Sequence, residues 1–316
     1  MGVAYAGSAR QDLTDTLADI LTEDTSMDVL SVTAYALGLI FVGTCNPDLA
    51  SLITDVLLSR EPETLNHPYT KFMYLGLGLL YLGKQSLADL TIETLKVLQG
   101  PYARYGQYTV ESCAYAGTGN VLKVQSLLQV CGEHLEENNE FQAVAVLGIA
   151  AIAMAEEVGT AMAIRTYNHL LQYGEPVIRR TIPLALGLIS ISNPQLTVMD
   201  TLSKLSHDGD SDVAQGAILG LGLIGAGTNN SRIAGLLRQL SAYYSKDPDH
   251  LFVVRIAQGL LHLGKGLVSL NPFHCNGSVL NKVALAGILG AIHACFDFSG
   301  CLFFISSFFF ILHFFP

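Results

Sequence analysis

The chain has 316 residues, a formal net charge of −10, half of its residues hydrophobic and only 14% charged. That acidity excludes a non-specific nucleic-acid binder, which needs a basic stripe, and the apolar content excludes a disordered chain and requires a large core. The six cysteines (45, 113, 131, 275, 295 and 301) form no CxxC pair, so there is no zinc spacing or disulfide framework; each reads as a small buried residue in a reducing compartment.

The first residues carry no basic segment followed by an apolar run, so no signal peptide is expected. Gly2-Val-Ala-Tyr-Ala-Gly7 instead opens a signature that recurs about every 34–40 residues. Clear copies run from Gly38 to Gly43, Gly78 to Gly83, Gly222 to Gly227 and Gly259 to Gly264. Three weaker copies fill the gaps: Ser112 to Gly117 keeps the second glycine, while Gly148 to Ala153 and Gly187 to Ser192 keep the first. A period in this range means stacked supersecondary units that bury their apolar faces against one another. Each unit reads as two helices. The signature helix, as in Ser31 to Val42 and Phe141 to Ala155, is apolar all round and belongs in a buried inner layer. Its second glycine precedes a polar turn, as in Gly43-Thr-Cys-Asn-Pro47, and suits a helix C-cap.

The helix after Asn46-Pro47 is the first of the amphipathic partners. Leu49, Leu52, Ile53, Val56 and Leu57 follow the helical period, and Asp48, Ser51, Asp55 and Ser59 form a narrow polar ridge with Leu52 at its edge. Such a ridge is either a solvated face or a docking surface for a basic protein. Val124, Leu127, Leu128 and Cys131 repeat the amphipathic pattern, as do Ile233, Leu236, Leu237 and Leu240. Polar linkers separate the units at Arg60 to Pro68, His134 to Asn139 and Ser206 to Asp212. No strand is expected before the tail.

Several motifs along the way imitate chemistry. Gly78 to Lys84 lacks the Ser or Thr that a phosphate loop needs at Gln85, and Gly259 to Lys265 fails likewise at Gly266. Gly220, Gly222 and Gly225 have dinucleotide-site spacing without a preceding strand. Asp208, Asp210 and Asp212 begin like a calcium loop but meet Val213 and Leu219 where Gly and Glu belong; Asp210 or Ser211 then caps the next helix. His262, inside an apolar helix, reads as a core or seam residue, and no catalytic, metal or cofactor constellation emerges. Residues 296–316 break the pattern with an aperiodic phenylalanine-rich tail. It is too short and too interrupted by Ser306, Ser307 and His313 for a good membrane span, and reads as sequence foreign to the repeats.

Longer strings carry a resemblance: Gly-Val-Ala-Tyr-Ala-Gly-Ser (2–8), Val-Gly-Thr-Cys-Asn-Pro-Asp (42–48), Ala-Tyr-Ala-Gly-Thr-Gly-Asn-Val-Leu-Lys-Val-Gln (114–125), Asp-Thr-Leu-Ser-Lys-Leu-Ser-His-Asp (200–208) and Arg-Ile-Ala-Gln-Gly-Leu-Leu-His-Leu-Gly-Lys-Gly (255–266). On these the chain resembles the proteasome/cyclosome repeat family over residues 1–295. The resemblance implies an all-α solenoid of helix–turn–helix repeats in two layers, curved into a toroid, or an open arc if repeats are missing. It implies a non-enzymatic scaffold of the cytoplasm and nucleus that sits beside the proteasomal ATPase ring and receives ubiquitin, ubiquitin-like domains of shuttle factors and a deubiquitinase. The family's acidic toroid site falls on Asp48 and Asp55, with Ser59 in place of a third acidic residue and Glu61 nearby. The family's N-terminal helical region, a second toroid site and the C-terminal β-rich segment have no counterpart in these 316 residues. A generic assembly module without ubiquitin contact, or a nonfunctional truncated product, are the alternative readings.

Overall fold

The structure, a computed structural model, describes residues 1–22, 25–98, 101–135, 140–273 and 280–296. The foreign-looking tail beyond Phe296, Cys275, Cys301 and residues 136–139 lie outside the described residues. Among the described residues all regular structure is helical, apart from one isolated antiparallel bridge between Phe273 and Leu280.

The chain divides into two compact units. The first is Met1–Ala155 with Pro272–Gly290; the second is Glu156–Asn271 with the chain from Ala291 onward. The first holds α1 (Asp12–Thr22), α2 (Met27–Ile40), α3 (Pro47–Ser59), α4 (Pro62–Leu65), α5 (Thr70–Leu80), α6 (Asp89–Leu95), α7 (Pro101–Ala114), α8 (Val121–Cys131) and α9 (Glu140–Ala153). The second holds α10 (Glu157–Tyr173), α11 (Pro176–Ile189), α12 (Leu196–Leu205), α13 (Ser211–Ile224), α14 (Ser231–Tyr243) and α15 (Pro248–Leu261); α16 (Lys282–Ala294) follows.

In the first unit the signature helices α2, α5, α7 and α9 pack side by side as an inner layer, and α1, α6 and α8 lie against them from outside with α3. In the second unit α11, α13 and α15 form the inner layer, covered by α10, α12 and α14. The layers follow from composition. Helix α9 buries every residue from Phe141 to Ala153, and α13 every residue from Val213 to Ile224, as all-round apolar helices must. Helix α3 buries only Leu49, Ala50, Ile53, Thr54 and Leu57, a single stripe at helical spacing.

Glycine sets how close the inner helices come. A Cβ on Gly38 would strike the backbone of Gly76 in the next repeat; one on Gly187 would lie 3.0 Å from the Gly220 Cα, and one on Gly222 2.7 Å from the Ala257 Cα. The second signature glycine does different work. At Gly7, Gly43, Gly83, Gly117, Gly227 and Gly264 the backbone is left-handed, the usual way for glycine to end a helix. In that conformation the turn amide points at the neighbouring repeat. Gly7 donates to the Leu39 carbonyl (2.9 Å), Gly43 to Leu79 (2.9 Å), Gly83 to Cys113 (3.1 Å) and Gly227 to Leu260 (2.9 Å), and Ser192, also left-handed, donates to Leu223 (3.0 Å). Where Ala9, Cys45, Gly119 and Asn229 follow two residues later, their amides add a second rung to Ile40, Leu80, Ile152 and Leu261. Within each unit a backbone ladder thus ties these neighbouring repeats together.

The ladder corrects one register. The accepting carbonyl lies four residues before the next turn position: Leu39 before Gly43, Leu79 before Gly83, Leu260 before Gly264. Gly117 donates to Ala151 (2.8 Å), which puts the turn position of that copy at Ala155, not Ala153. Gly148 is therefore the counterpart of Gly76 and Gly220, and its missing Cβ leaves room for the Ser112 hydroxyl. Gly259 also differs, since a Cβ there would meet nothing within 4 Å. His262 is not inside α15 but caps its end, exposed, with Nδ1 2.6 Å from Oδ1 of Asn229 in the preceding turn.

Candidate functional site

The ridge on α3 begins with its cap. Asn46 precedes the helix in extended conformation, and its side-chain oxygen accepts the Asp48 amide at 3.0 Å, while Pro47 fills the first helical position. This chemistry starts the helix sharply and fixes its phase. Asp48, Ser51, Asp55 and Ser59 all emerge exposed, with Leu52 half-buried beside them. The two hydroxyls are turned inward along the helix: Ser51 donates to the Asp48 carbonyl (2.9 Å) and Ser59 to the Val56 carbonyl (3.0 Å). The ridge consequently offers only acceptors outward, two carboxylates and two hydroxyl oxygens. Leu58, exposed on the same helix, adds apolar surface.

The structure widens this ridge beyond what was read from one helix. Helices α1 and α6 flank α3. The buried pair Leu17 and Leu21 on α1 occupies the place of Ile53 and Leu57, and Thr91 and Leu95 occupy it on α6. On that alignment Asp19, Asp55 and Glu93 are equivalent, as are Asp15, Ser51 and Asp89; Leu90 matches Leu52 and is 78% exposed. At α8 the equivalent of Asp55 is Gln129, where the acidic row stops. Arg10 reaches Asp12 (3.4 Å) and Lys96 reaches Glu93 (2.5 Å). Among the described residues no cation pairs with Asp15, Asp19, Asp48 or Asp55. A surface on which Asp15, Asp19, Asp48 and Asp55 lack cation partners, with a half-buried Leu52 and an exposed Leu90, is suited to lysines and arginines surrounding an apolar contact. The extra acidic residues were visible in the sequence only through the repeat offset.

The imitation motifs resolve into structure. Gly78 lies within α5 against Cys113 and Thr109, and the Gly83 amide is already bonded to the next repeat, so no phosphate cradle is formed there. Gly220 and Gly222 sit inside α13 with no strand before it. Asp210 caps α13 by accepting the Asp212 amide (3.1 Å), and Arg180 meets both Asp210 (2.9 Å) and Asp212 (3.3 Å), leaving the acidic triplet engaged. Among the described residues no group of His, Cys, Asp and Glu is arranged for a metal ion, and no helix is long and apolar enough to cross a membrane. Cys113, Cys131 and Cys295 are buried and Cys45 is half-buried. Burial pushes the Cys113 and Cys131 thiols up to about 12, so these thiols stay protonated and inert.

Comparison with known proteins follows the same lines. The proteasome/cyclosome repeat profile matches residues 216–249, which run from within α13 through α14 to the start of α15. The chain is 53% identical over 303 residues to the 26S proteasome non-ATPase regulatory subunit 2 of Dictyostelium discoideum, covering 96% of this chain and 34% of that protein. It is 51% identical over 300 residues to the 26S proteasome regulatory subunit rpn1 of Schizosaccharomyces pombe, covering 93% and 34%. It is 55% identical over 271 residues to the 26S proteasome non-ATPase regulatory subunit 2 homolog A of Arabidopsis thaliana, covering 86% and 30%. The chain thus spans about one third of the length of these relatives.

Proposed function

The chain belongs to the proteasome/cyclosome repeat family, and from that premise we propose that it forms part of a non-catalytic scaffold of the proteasome regulatory particle, in cytoplasm and nucleus, whose α3 ridge binds ubiquitin and ubiquitin-like domains. The observation that carries the reading is the row of exposed carboxylates Asp19, Asp55 and Glu93 at equivalent positions of three adjacent outer helices, of which Asp19 and Asp55 have no cation partner and Glu93 is held by Lys96, with Leu52 and Leu90 beside it. Asp48 and Asp55 are the central contacts for basic side chains, and Leu52 is the apolar one. Ser51 and Ser59 accept hydrogen bonds at the margins. The serine at position 59 gives a weaker ridge than a third carboxylate would, and Asp19 and Glu93 on the flanking helices offset part of that loss. The inner layer supplies the rigid frame, and proteasomal ATPase subunits and a deubiquitinase are the further partners of the scaffold.

An isotope-labelled ubiquitin-like domain titrated with this chain tests the assignment. The Asp48→Lys/Asp55→Lys double variant is expected to weaken binding at least on the order of tenfold, a loss of about 1.4 kcal/mol. Wild-type binding is expected to fall as salt rises from low to physiological strength. Equal chemical-shift changes with wild type and double variant would remove the ridge as the site.

A further inference from the structure

Helix α10 carries three large apolar residues on its outward side. Its siblings in the second unit each expose one, Leu196 on α12 and Tyr243 on α14, beside Asp200 and Lys204 on α12 and Arg232 and Arg238 on α14. Helix α10 buries Ala163 and Tyr167 on its inner side, yet leaves Val158 71%, Met162 62% and Tyr173 70% exposed. Arg165 and His169 are exposed between them. These five residues stand at i, i+4, i+7, i+11 and i+15. At about 100° per residue they form one narrow stripe along about 22 Å of the longest described helix. The stripe is partly ordered, since the His169 and Tyr173 rings lie 4.9 Å apart. No carboxylate among the described residues pairs with Arg165, whereas Arg179 and Arg180 of the next helix are engaged by Asp208, Asp210 and Asp212.

We propose that this stripe is the seat for an amphipathic helix of a partner protein, one whose contact row is apolar with a carboxylate at its centre. The spacing is that of a helix–helix seam, in which apolar residues recurring every three to four positions face a second helix of matching period. The unpaired guanidinium at the middle of the apolar row fixes the sign of the partner's charge. An acidic partner is otherwise disfavoured by a chain of net charge −10, so Arg165 serves as the local exception that sets register. This site lies in the second unit, on a different helix from the acidic ridge, and takes a partner of opposite charge; it stands or falls independently of ubiquitin-like binding.

Photo-crosslinking of the full chain in cells tests it. Benzoylphenylalanine is incorporated at position 162 on α10 or, as control, at position 204 on α12, and the captured segment is mapped by mass spectrometry. The expected result is capture from position 162 of one amphipathic helical segment bearing a carboxylate in its apolar row. Yield should drop on the order of tenfold with Arg165→Glu and recover when that carboxylate is changed to lysine. Arg165 is exposed, so circular dichroism of the variant should match wild type. Equal labelling from both positions, capture of a second copy of this chain, capture of a segment without a carboxylate, or a yield indifferent to Arg165→Glu would each overturn the proposal.

Discussion

Two chemically identical substitutions in the glycine signature are expected to act in opposite directions. Gly38 and Gly259 both occupy the first signature position, and both lie within helices, α2 and α15. In a helix interior alanine is favoured over glycine by about 1 kcal/mol. At Gly259 nothing lies within 4 Å of an added Cβ, so Gly259→Ala should stabilise by up to that amount. At Gly38 the new methyl would strike the Gly76 carbonyl oxygen and lie 2.6 Å from its Cα and 2.8 Å from its carbonyl carbon. Carbon contacts are favourable at about 3.5–4.0 Å, so α2 and α5 must part by about 1 Å. The obstacle is backbone and cannot rotate aside, which puts the cost near the upper end of the roughly 1–3 kcal/mol for overpacking. After the helix gain, Gly38→Ala should destabilise by about 2 kcal/mol. The two variants should therefore differ by about 3 kcal/mol. Urea unfolding followed by circular dichroism gives the midpoints. Because repeat arrays can open locally, hydrogen exchange of α2 and α5 amides should show the Gly38→Ala loss there and not in α14. Midpoints that move the same way in both variants would refute the idea that inner-layer spacing, rather than helix propensity, governs the first signature position.

The turn glycines offer a graded companion series. Gly83 (φ +69) has only the Ala116 carbonyl oxygen, at 4.0 Å, near its missing Cβ, whereas at Gly227 (φ +66) the Val268 carbonyl oxygen already fills that place. Gly83→Ala should cost about 1–2 kcal/mol from left-handed strain alone, and Gly227→Ala clearly more in the same urea assay; equal losses would show that strain and not space controls these turns. Stability should also fall in alkali. The Cys113 and Cys131 thiols rise from 9.0 to about 12 through burial. The unfolded chain therefore releases these protons first, and stability is complete below pH 9 and lost as pH climbs toward 12. The slope is about 1.4 kcal/mol per pH unit for each thiol. Midpoints measured from pH 7 to 11 should decline less steeply in Cys113→Ala, and a parallel decline would remove that thiol as a cause.

The layers were legible in the residues because each element obeys one period. All-round apolar Phe141 to Ala153 must be buried in the inner layer, and a stripe such as Leu49, Ile53 and Leu57 must face the inner helix next to its own, here α5. The register of the weak copy was not legible. Gly148, Ala150, Ala151 and Ala153 are all small, so size alone does not say which of them opposes Ser112; the Gly117 to Ala151 hydrogen bond decides it. His262 does sit at a seam between repeats, against Asn229, but its place at the helix end was hidden for a related reason. The helical pattern continues through it, while the left-handed Gly264 and Lys265 immediately beyond end the helix at the backbone level, where side-chain periodicity carries no signal. The equivalence of the acidic residues on α1, α3 and α6 is hidden in the sequence because the repeats differ in length, and it appears only once the buried pairs Leu17/Leu21, Ile53/Leu57 and Thr91/Leu95 are superposed. On α10, Val158 and Met162 satisfy helical spacing as well as Ala163 and Tyr167 do, and periodicity cannot tell a core stripe from an exposed one on the same helix.

These cases share a physical origin that bears on function. The backbone ladder from the turn glycines fixes the spacing between repeats without using any outer side chain. Outer residues are thereby released from holding the fold, and only their buried stripe is constrained. The acidic row of α1, α3 and α6 and the apolar–basic stripe of α10 occupy the released positions. Destabilising a turn should then disturb an outer surface in proportion to its distance from the altered rung. Gly43 donates to Leu79 at the start of the loop that leads to α3, so the ridge of Asp48 and Asp55 rests directly on that rung. The α10 stripe has no such dependence on it. Binding at the two surfaces should accordingly respond to different glycines, which is what separates a scaffold with independent docking faces from one cooperative site.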